Sequence, residues 1–252
     1  MATREQLAEN TGMYLLPRPL YETVVTDDYT YHAGPNNAWV LDIREPNVEW
    51  ARAESRRRGL ALVEWWVGWS VRPSLADDLL NLGLVPDDEP VLTGMTCASE
   101  TPAAPHVEVR PIETAAQYLE AIAIDWEVWQ ITEDERAKRR SIEVDRFDQD
   151  YAAGTAHHWA AFDDGRPVGF GRGIDMEDGV ALMGGAVLPV ARGRGVYRAL
   201  VRARWDYAVG RGTPALVTHA MPDTSYPILR RMGFEDVCAI HRLEDARDLR
   251  RA

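Results

Sequence analysis

Three strand-like runs separated by two tight-turn signals, between Trp159 and Leu188, constrain this chain more than any other feature. WAAF (Trp159–Phe162) and PVGFGRGI (Pro167–Ile174) flank Asp163-Asp164-Gly165-Arg166, which is hairpin-turn chemistry. Glu177-Asp178-Gly179 follows, and then VALMGGAVL, Val180 to Leu188. Strands joined by turns this short pair antiparallel, because a parallel crossover needs about a dozen residues or more. The three runs therefore form a meander whose faces must be covered by other elements.

The flanking patterns supply that cover. HVEVRPI (His106–Ile112) alternates like a strand, and helical stretches run from about Ala115 to Trp129 and from about Glu133 to Tyr151. After the meander comes LPVARGRGVYRALV, where Val196, Ala199, Leu200, Ala203 and Tyr207 recur at helical spacing until Gly210 and Gly212. PALVTHA (Pro214–Ala220) reads as a short buried strand. TSYPILRRMGF reads as a helix with Pro227 in its first turn and Gly233 at its end, and FEDVCAIHRL as a closing strand. The order is strand, two helices, three-strand meander, helix, strand, helix, strand: an α+β (mixed α/β) class with a mostly antiparallel sheet.

The earlier half is less regular. YTYHAG and AWVLDI read as paired strands, Pro46 to Arg58 as a helix, LALVEWWVGW as an apolar strand, SLADDLLNLGL as a helix and EPVLTGMTC as a strand. SETPAAP (Ser99–Pro105) has linker composition. It predicts a smaller domain at 1–103 and a larger one at 104–252. An internal echo links the two: ALV at Ala61 leads to a helix ending LGL at Gly83, and ALV at Ala215 to one ending MGF at Gly233. The echo is short enough to arise by chance, and the alternative it raises is a duplicated fold.

Composition narrows the function. A net charge of -12 disfavours nonspecific nucleic-acid binding, which needs a basic footprint. No apolar run is long enough to span a bilayer, and MATREQLAEN lacks the apolar core of a secretory signal, so a cytoplasmic location with no membrane partner is expected. The distant Cys97 and Cys238 read as thiols. Adjacent His157 and His158 would face opposite sides of a strand, so no metal site is expected.

The basic turn before the third helix is the chemical candidate. GxGxxG fails, because Arg198 stands where the third glycine belongs and a meander precedes the turn. A P-loop fails for want of Gly-Lys-Ser/Thr, and no GxSxG is present. A glycine turn entering a helix still directs unpaired backbone N–H groups, and the positive end of the helix dipole, at one point. That combination suits phosphate or pyrophosphate. Since Lys138 is the only lysine among many arginines, Arg192, Arg194 and Arg198 are judged by position rather than number.

Arg192-Gly193-Arg194-Gly195-Val196-Tyr197, preceded by the meander and followed by Leu216-Val217 and Met232-Gly233-Phe234, resembles the GCN5-related N-acetyltransferase (GNAT) superfamily over about Val107 to Leu243. In that family an Arg/Gln-x-x-Gly-x-Gly/Ala turn opens a helix, so Tyr197 departs from the pattern at its last position. LALVEWWVGWSVRP, SLADDLLNLGL and EPVLTGM resemble the degenerate first half of tandem members, with no such turn. The resemblance implies the GNAT fold, a central sheet flanked by helices, and acetyl-CoA as acyl donor. Its pyrophosphate would rest on the backbone of Arg192, Gly193, Arg194, Gly195, Val196, Tyr197 and Arg198, and its pantetheine arm along Gly185, Ala186 and Val187. It further implies direct acetyl transfer to a primary amine of a small molecule. The alternatives are another acyl group, a protein amine, or a noncatalytic acyl-CoA sensor.

Such chemistry needs a base, because an alkylammonium of pKa about 10.4 is almost wholly protonated near neutrality. His219, ending the strand after the helix, is the expected base. Many family members place the acid, a tyrosine, four residues before the "GF" glycine. Leu229 holds that position here, so Tyr226 and Ser225 are the expected substitutes, Ser225 equally suiting an N-cap. Trp65, Trp66 and Trp69 are candidates for an acceptor-pocket wall or for core packing.

Overall fold

The computed structural model describes residues 22–34, 37–68, 74–86, 91–103 and 106–245. The chain divides into two compact units, one holding residues 96–218 and 230–234, the other the described residues up to 95 with 219–229 and 235–245. No helix among the described residues is long and apolar enough to cross a membrane.

The first unit is built on the meander. Strands β7 (Glu108–Pro111), β8 (Ala156–Asp163), β9 (Arg166–Asp175) and β10 (Val180–Val187) pair antiparallel in that order, and β11 (Leu216–Ala220) adds to β10 in parallel. The β8–β9 hairpin closes on Asp163↔Arg166, with Asp164 and Gly165 both at positive φ as a type I′ turn requires. Side chains alternate across the sheet. Ala160, Phe170 and Ala186 lie in one row and pack against helices α3 (Ala115–Val128) and α4 (Glu133–Ala153). Trp159, Ala161 and Val168 face the other way, onto α5 (Val196–Gly210). Capping boxes fix where the first two helices start: Thr114 with Gln117, and Thr132 with Glu135. β8 begins three residues earlier than its apolar run suggests, because His157 and His158 are strand residues with partners on opposite faces. His157 meets Tyr207 and Asp175 beside α5, and His158 sits among Tyr118, Phe147 and Phe170 on the other side.

SETPAAP is tied down where it is described. Arg202 of α5 donates to Glu100 and to the Thr101 carbonyl, each at 2.8 Å, and Thr101 is buried. A small, polar composition could not reveal an anchor that lies about a hundred residues away.

The second unit carries β1 (Glu22–Val25), β2 (Thr30–Ala33), β3 (Ala38–Leu41), β4 (Val63–Val67) and β12 (Glu235–Asp245) side by side, with β5 (Val85–Pro86) also on β12 and β6 (Leu92–Cys97) next in the chain. β2 and β3 pair antiparallel, as their sequences predict. β3 and β4 are parallel across α1 (Val48–Arg57), just as β10 and β11 are parallel across α5. Helix α2 (Leu75–Asn81) follows β4, and α6 (Ser225–Arg231) follows β11; the glycines after them, Gly83 and Gly233, share a φ of +91°. The sequence echo is thus an echo of structure. Trp65 is wholly buried against Tyr29 and is core, whereas Trp66 is half-buried and meets Trp39 edge-on. Trp69 lies outside the described residues. Cys97 is a buried thiol and Cys238 a half-buried one.

Two buried ionisable groups make the fold testable. Arg52 of α1 grips Asp245 at the end of β12 through Nε–Oδ2 at 2.7 Å, and the Asp245 side chain is 1% exposed. Arg52→Ala strands that carboxylate in the interior and is predicted to destabilise the protein by about 3–5 kcal/mol in urea titrations. Glu100→Ala, at a pair with an exposed carboxylate, is predicted to cost no more than about 1 kcal/mol. Burial, with Arg172 and Arg146 nearby, pushes the His158 imidazole down to about 3 from an ordinary 6.5. The unfolded chain therefore takes up this proton at higher pH than the folded one. The contribution is complete above about pH 6.5 and is lost as pH falls toward 3, at up to about 1.4 kcal/mol per pH unit. His158→Phe is predicted to flatten the acid limb of stability against pH across that window.

Candidate functional site

The site grows from the place where the sheet opens. β10 pairs with β9 along its whole length, but with β11 only at Val180↔Leu216 and Ala181↔Val217. A last link follows from Thr218 Oγ1 to the Leu182 carbonyl at 3.2 Å. From Met183 to Val187 that edge of β10 has no strand partner among the described residues. The ladder to β9 also slips here, between Met183 and Gly185, with Gly184 at φ +72°. A glycine at positive φ with one extra residue is a β-bulge. Gly184 and Gly185 are exposed, Ala186 is buried and Val187 half-buried. An unpaired, accessible strand edge offers N–H and C=O groups to an extended ligand that itself carries amides.

The chain then turns into α5. Pro189–Ala191 make a 3-10 turn, Gly193 and Gly195 adopt left-handed conformations at φ +75° and +84°, and Gly195 caps the helix. The first intrahelical bond, Ala199 N–H to the Gly195 carbonyl at 3.0 Å, leaves the N–H groups of Val196, Tyr197 and Arg198 without acceptors in the helix. Arg192, Gly193, Arg194 and Arg198 are exposed around them. Two of the arginines are already engaged. Arg194 makes a forked pair with Asp163 at 2.5 and 2.9 Å, and Arg192 Nε donates to the Val187 carbonyl at 3.3 Å. An anion placed here would meet the backbone N–H groups and the helix dipole, with Arg198 beside them.

Tyr197 acquires a physical reason. Its ring lies on Gly185: a Cβ added there would stand 2.8 Å from Tyr197 Cε2. The large residue in the turn and the absent side chain in the strand are complementary. Burial raises the pKa of the Tyr197 phenol, while the Arg204 cation opposes that shift.

Arg204 is the residue sequence reading missed. It is wholly buried and donates to the carbonyls of Leu200, Arg172 and Gly184 at 2.9, 3.2 and 3.1 Å. The signal was present, since Arg204 continues the apolar stripe Val196–Leu200 at a spacing of four. Arginine abundance hid it.

The expected proton-transfer residues fall in the other unit. His219 is half-buried on β11. Ser225 Oγ accepts from the Met221 N–H at 2.9 Å, and Tyr226 N–H donates to the Met221 carbonyl at 3.0 Å. The Tyr226 hydroxyl donates to Asp236 at 2.8 Å, a carboxylate not singled out from sequence. Leu229, where many GNAT members carry tyrosine, is wholly buried. Among the described residues no group of His, Cys, Asp and Glu side chains could hold a metal ion.

Residues 118–234 match the model of the Acetyltransferase (GNAT) family. No curated protein matches the chain. A tandem GNAT protein from the clavulanic acid biosynthesis pathway is similar in structure at 16% identity and a TM-score of 0.66, covering 95% of this chain and 87% of its own. A GCN5-related N-acetyltransferase from Kribbella flavida gives 17% identity and 0.60, covering 94% and 93%. One from Sphaerobacter thermophilus gives 14% and 0.59, covering 89% and 75%. At these identities the likeness concerns the fold.

Gly195→Glu forces a side chain into a left-handed cap and sets a carboxylate beside the open N–H groups. It is predicted to abolish binding of acetyl-CoA in a calorimetric titration, while the melting temperature stays within a few degrees of wild type.

Proposed function

We propose that the chain is a member of the GNAT superfamily of acetyltransferases, whose family model matches residues 118–234 and whose tandem members share its fold, and that it transfers acetyl from acetyl-CoA to a primary amine of a small molecule, by direct attack in a ternary complex. The observation that carries this reading is the continuity of the opened β10 edge with the glycine turn of α5. One supplies amide-pairing groups, the other an anion site, and only a few residues separate them. That sequence of features suits a ligand with an amide-bearing arm and a pyrophosphate, as in acyl-CoA.

The residues fit the donor by their own chemistry. Gly193 to Arg198 would hold the pyrophosphate through backbone N–H groups, which the side chain of Tyr197 does not alter. Gly185 to Val187 would pair with the pantetheine arm. Acetyl-CoA supplies the activated acyl group. The protein supplies hydrogen-bond donors where negative charge develops on the acyl carbonyl oxygen, a source of rate that needs no covalent enzyme intermediate.

We assign proton transfer to His219 as base and Tyr226 as acid. The Tyr226 hydroxyl donates to Asp236, a bond that holds the phenol in place and breaks when its proton passes to the departing CoA thiolate, while His219 takes the proton of the amine. Ser225, already accepting from the Met221 N–H, fastens the turn that leads into its helix in this assignment rather than serving the reaction. The net charge of -12 suits a cationic acceptor, which an acidic surface would concentrate. Residues 1–103 are proposed to contribute to acceptor selection and 104–252 to hold the donor.

Thiol release from acetyl-CoA across a panel of small primary amines tests the reaction. Turnover with at least one amine is expected, and Tyr226→Phe is predicted to lower kcat by on the order of 10- to 100-fold with little change in KM. Binding of acetyl-CoA without thiol release for any amine, or full turnover in Tyr226→Phe, contradicts the respective assignment.

A further inference from the structure

Arg204 is buried at a cost that packing alone does not explain. Its side chain is 0% exposed and meets carbonyls rather than a carboxylate, and Nη2 has no hydrogen-bond partner among the described residues. Burial brings its pKa down to about 10, so it remains a cation at neutral pH. An apolar side chain of similar volume would fill the same space without desolvating a charge. The strand beneath it is cleared for the guanidinium, since a Cβ on Gly171 would lie 3.1 Å from Arg204 Cζ.

What Arg204 holds is the break in the sheet. Its Nη1 donates across the slipped register, to Arg172 on β9 and to Gly184 on β10. Nε ties the same guanidinium to the α5 backbone at Leu200. The Gly184–Gly185 peptide is trans and planar, so its C=O and N–H point in opposite directions. With the Gly184 carbonyl drawn to Arg204, the Gly185 N–H is directed away from the guanidinium, on an exposed stretch of strand. The Tyr197 ring covers Gly185 from the same side as the guanidinium, which limits its freedom to flip.

We propose that Arg204 is a positioning residue that locks the Gly184–Gly185 peptide so that the Gly185 N–H polarises the acyl carbonyl of the donor. The inference rests on the acyl-donor reading above. A fixed backbone donor is worth far more to a developing charge than a mobile one, because nothing reorganises during the reaction.

The test is infrared difference spectroscopy of acetyl-CoA carrying a 13C-labelled carbonyl, with binding and steady-state kinetics alongside. Wild-type protein should move the bound carbonyl stretch to lower wavenumber. Arg204→Met should bind acetyl-CoA within about threefold of wild type, lose most of that shift, and lose kcat on the order of 10-fold or more. Arg204→Lys should not restore it, because one ammonium cannot reproduce the fork spanning three carbonyls. If Arg204→Met does not fold, Gly171→Ala takes its place: its new Cβ presses on Cζ and should likewise weaken the shift and kcat at near-constant acetyl-CoA affinity. An unchanged carbonyl shift in a folded variant overturns the inference and leaves the donor reading standing. A wild type that binds no acetyl-CoA overturns both.

Discussion

The separation of β10 from β11 after Leu182 is the constraint on which the rest depends. A parallel pair that stayed zipped would satisfy its own backbone and leave nothing for a ligand. Here the pair opens, a bulge at Gly184 shifts the strand against β9, and the freed edge leads within a few residues to the start of α5. Sheet, bulge, turn and helix are consecutive in sequence. A single stretch of chain therefore builds both halves of the proposed donor site.

Charge is distributed in that site differently from what an arginine-rich turn suggests. Arg194 is held by Asp163 and Arg192 by a strand carbonyl, while the most deeply placed cation, Arg204, lies beneath the bulge. Exposed cations near phosphate are screened by water and salt, whereas backbone donors fixed by the fold are not free to rearrange. Tyr197 belongs to the same economy of space. Where the family carries a small residue in the turn, this chain carries a ring there and a glycine in the facing strand.

Much of this was legible in the sequence, for identifiable reasons. The meander followed from two Asp/Gly turns, the two helices before it from helical spacing, and the duplicated order from matching ALV strands and matching glycines. These signals are local. What stayed hidden was nonlocal: the pinning of SETPAAP by Arg202, the partner Asp236 for Tyr226, and the role of Gly171 in clearing space for Arg204. β12 shows the same limit. Its sequence reads as a closing strand of the second half, yet it pairs with β4 from the first, because strand pattern states which faces are apolar and not which neighbour completes the ladder. Candidates for proton transfer were hardest to read, since Leu229 stands where many GNAT members carry tyrosine and no local pattern names a replacement.

Backbone amide NMR of the 15N-labelled protein, titrated with acetyl-CoA, addresses the donor site most directly. If the opened strand and the glycine turn hold the donor, the largest shift changes fall on two stretches, Met183 to Val187 and Gly193 to Arg198. Saturating acetyl-CoA that leaves both stretches unmoved, or that moves only residues elsewhere, would contradict that placement.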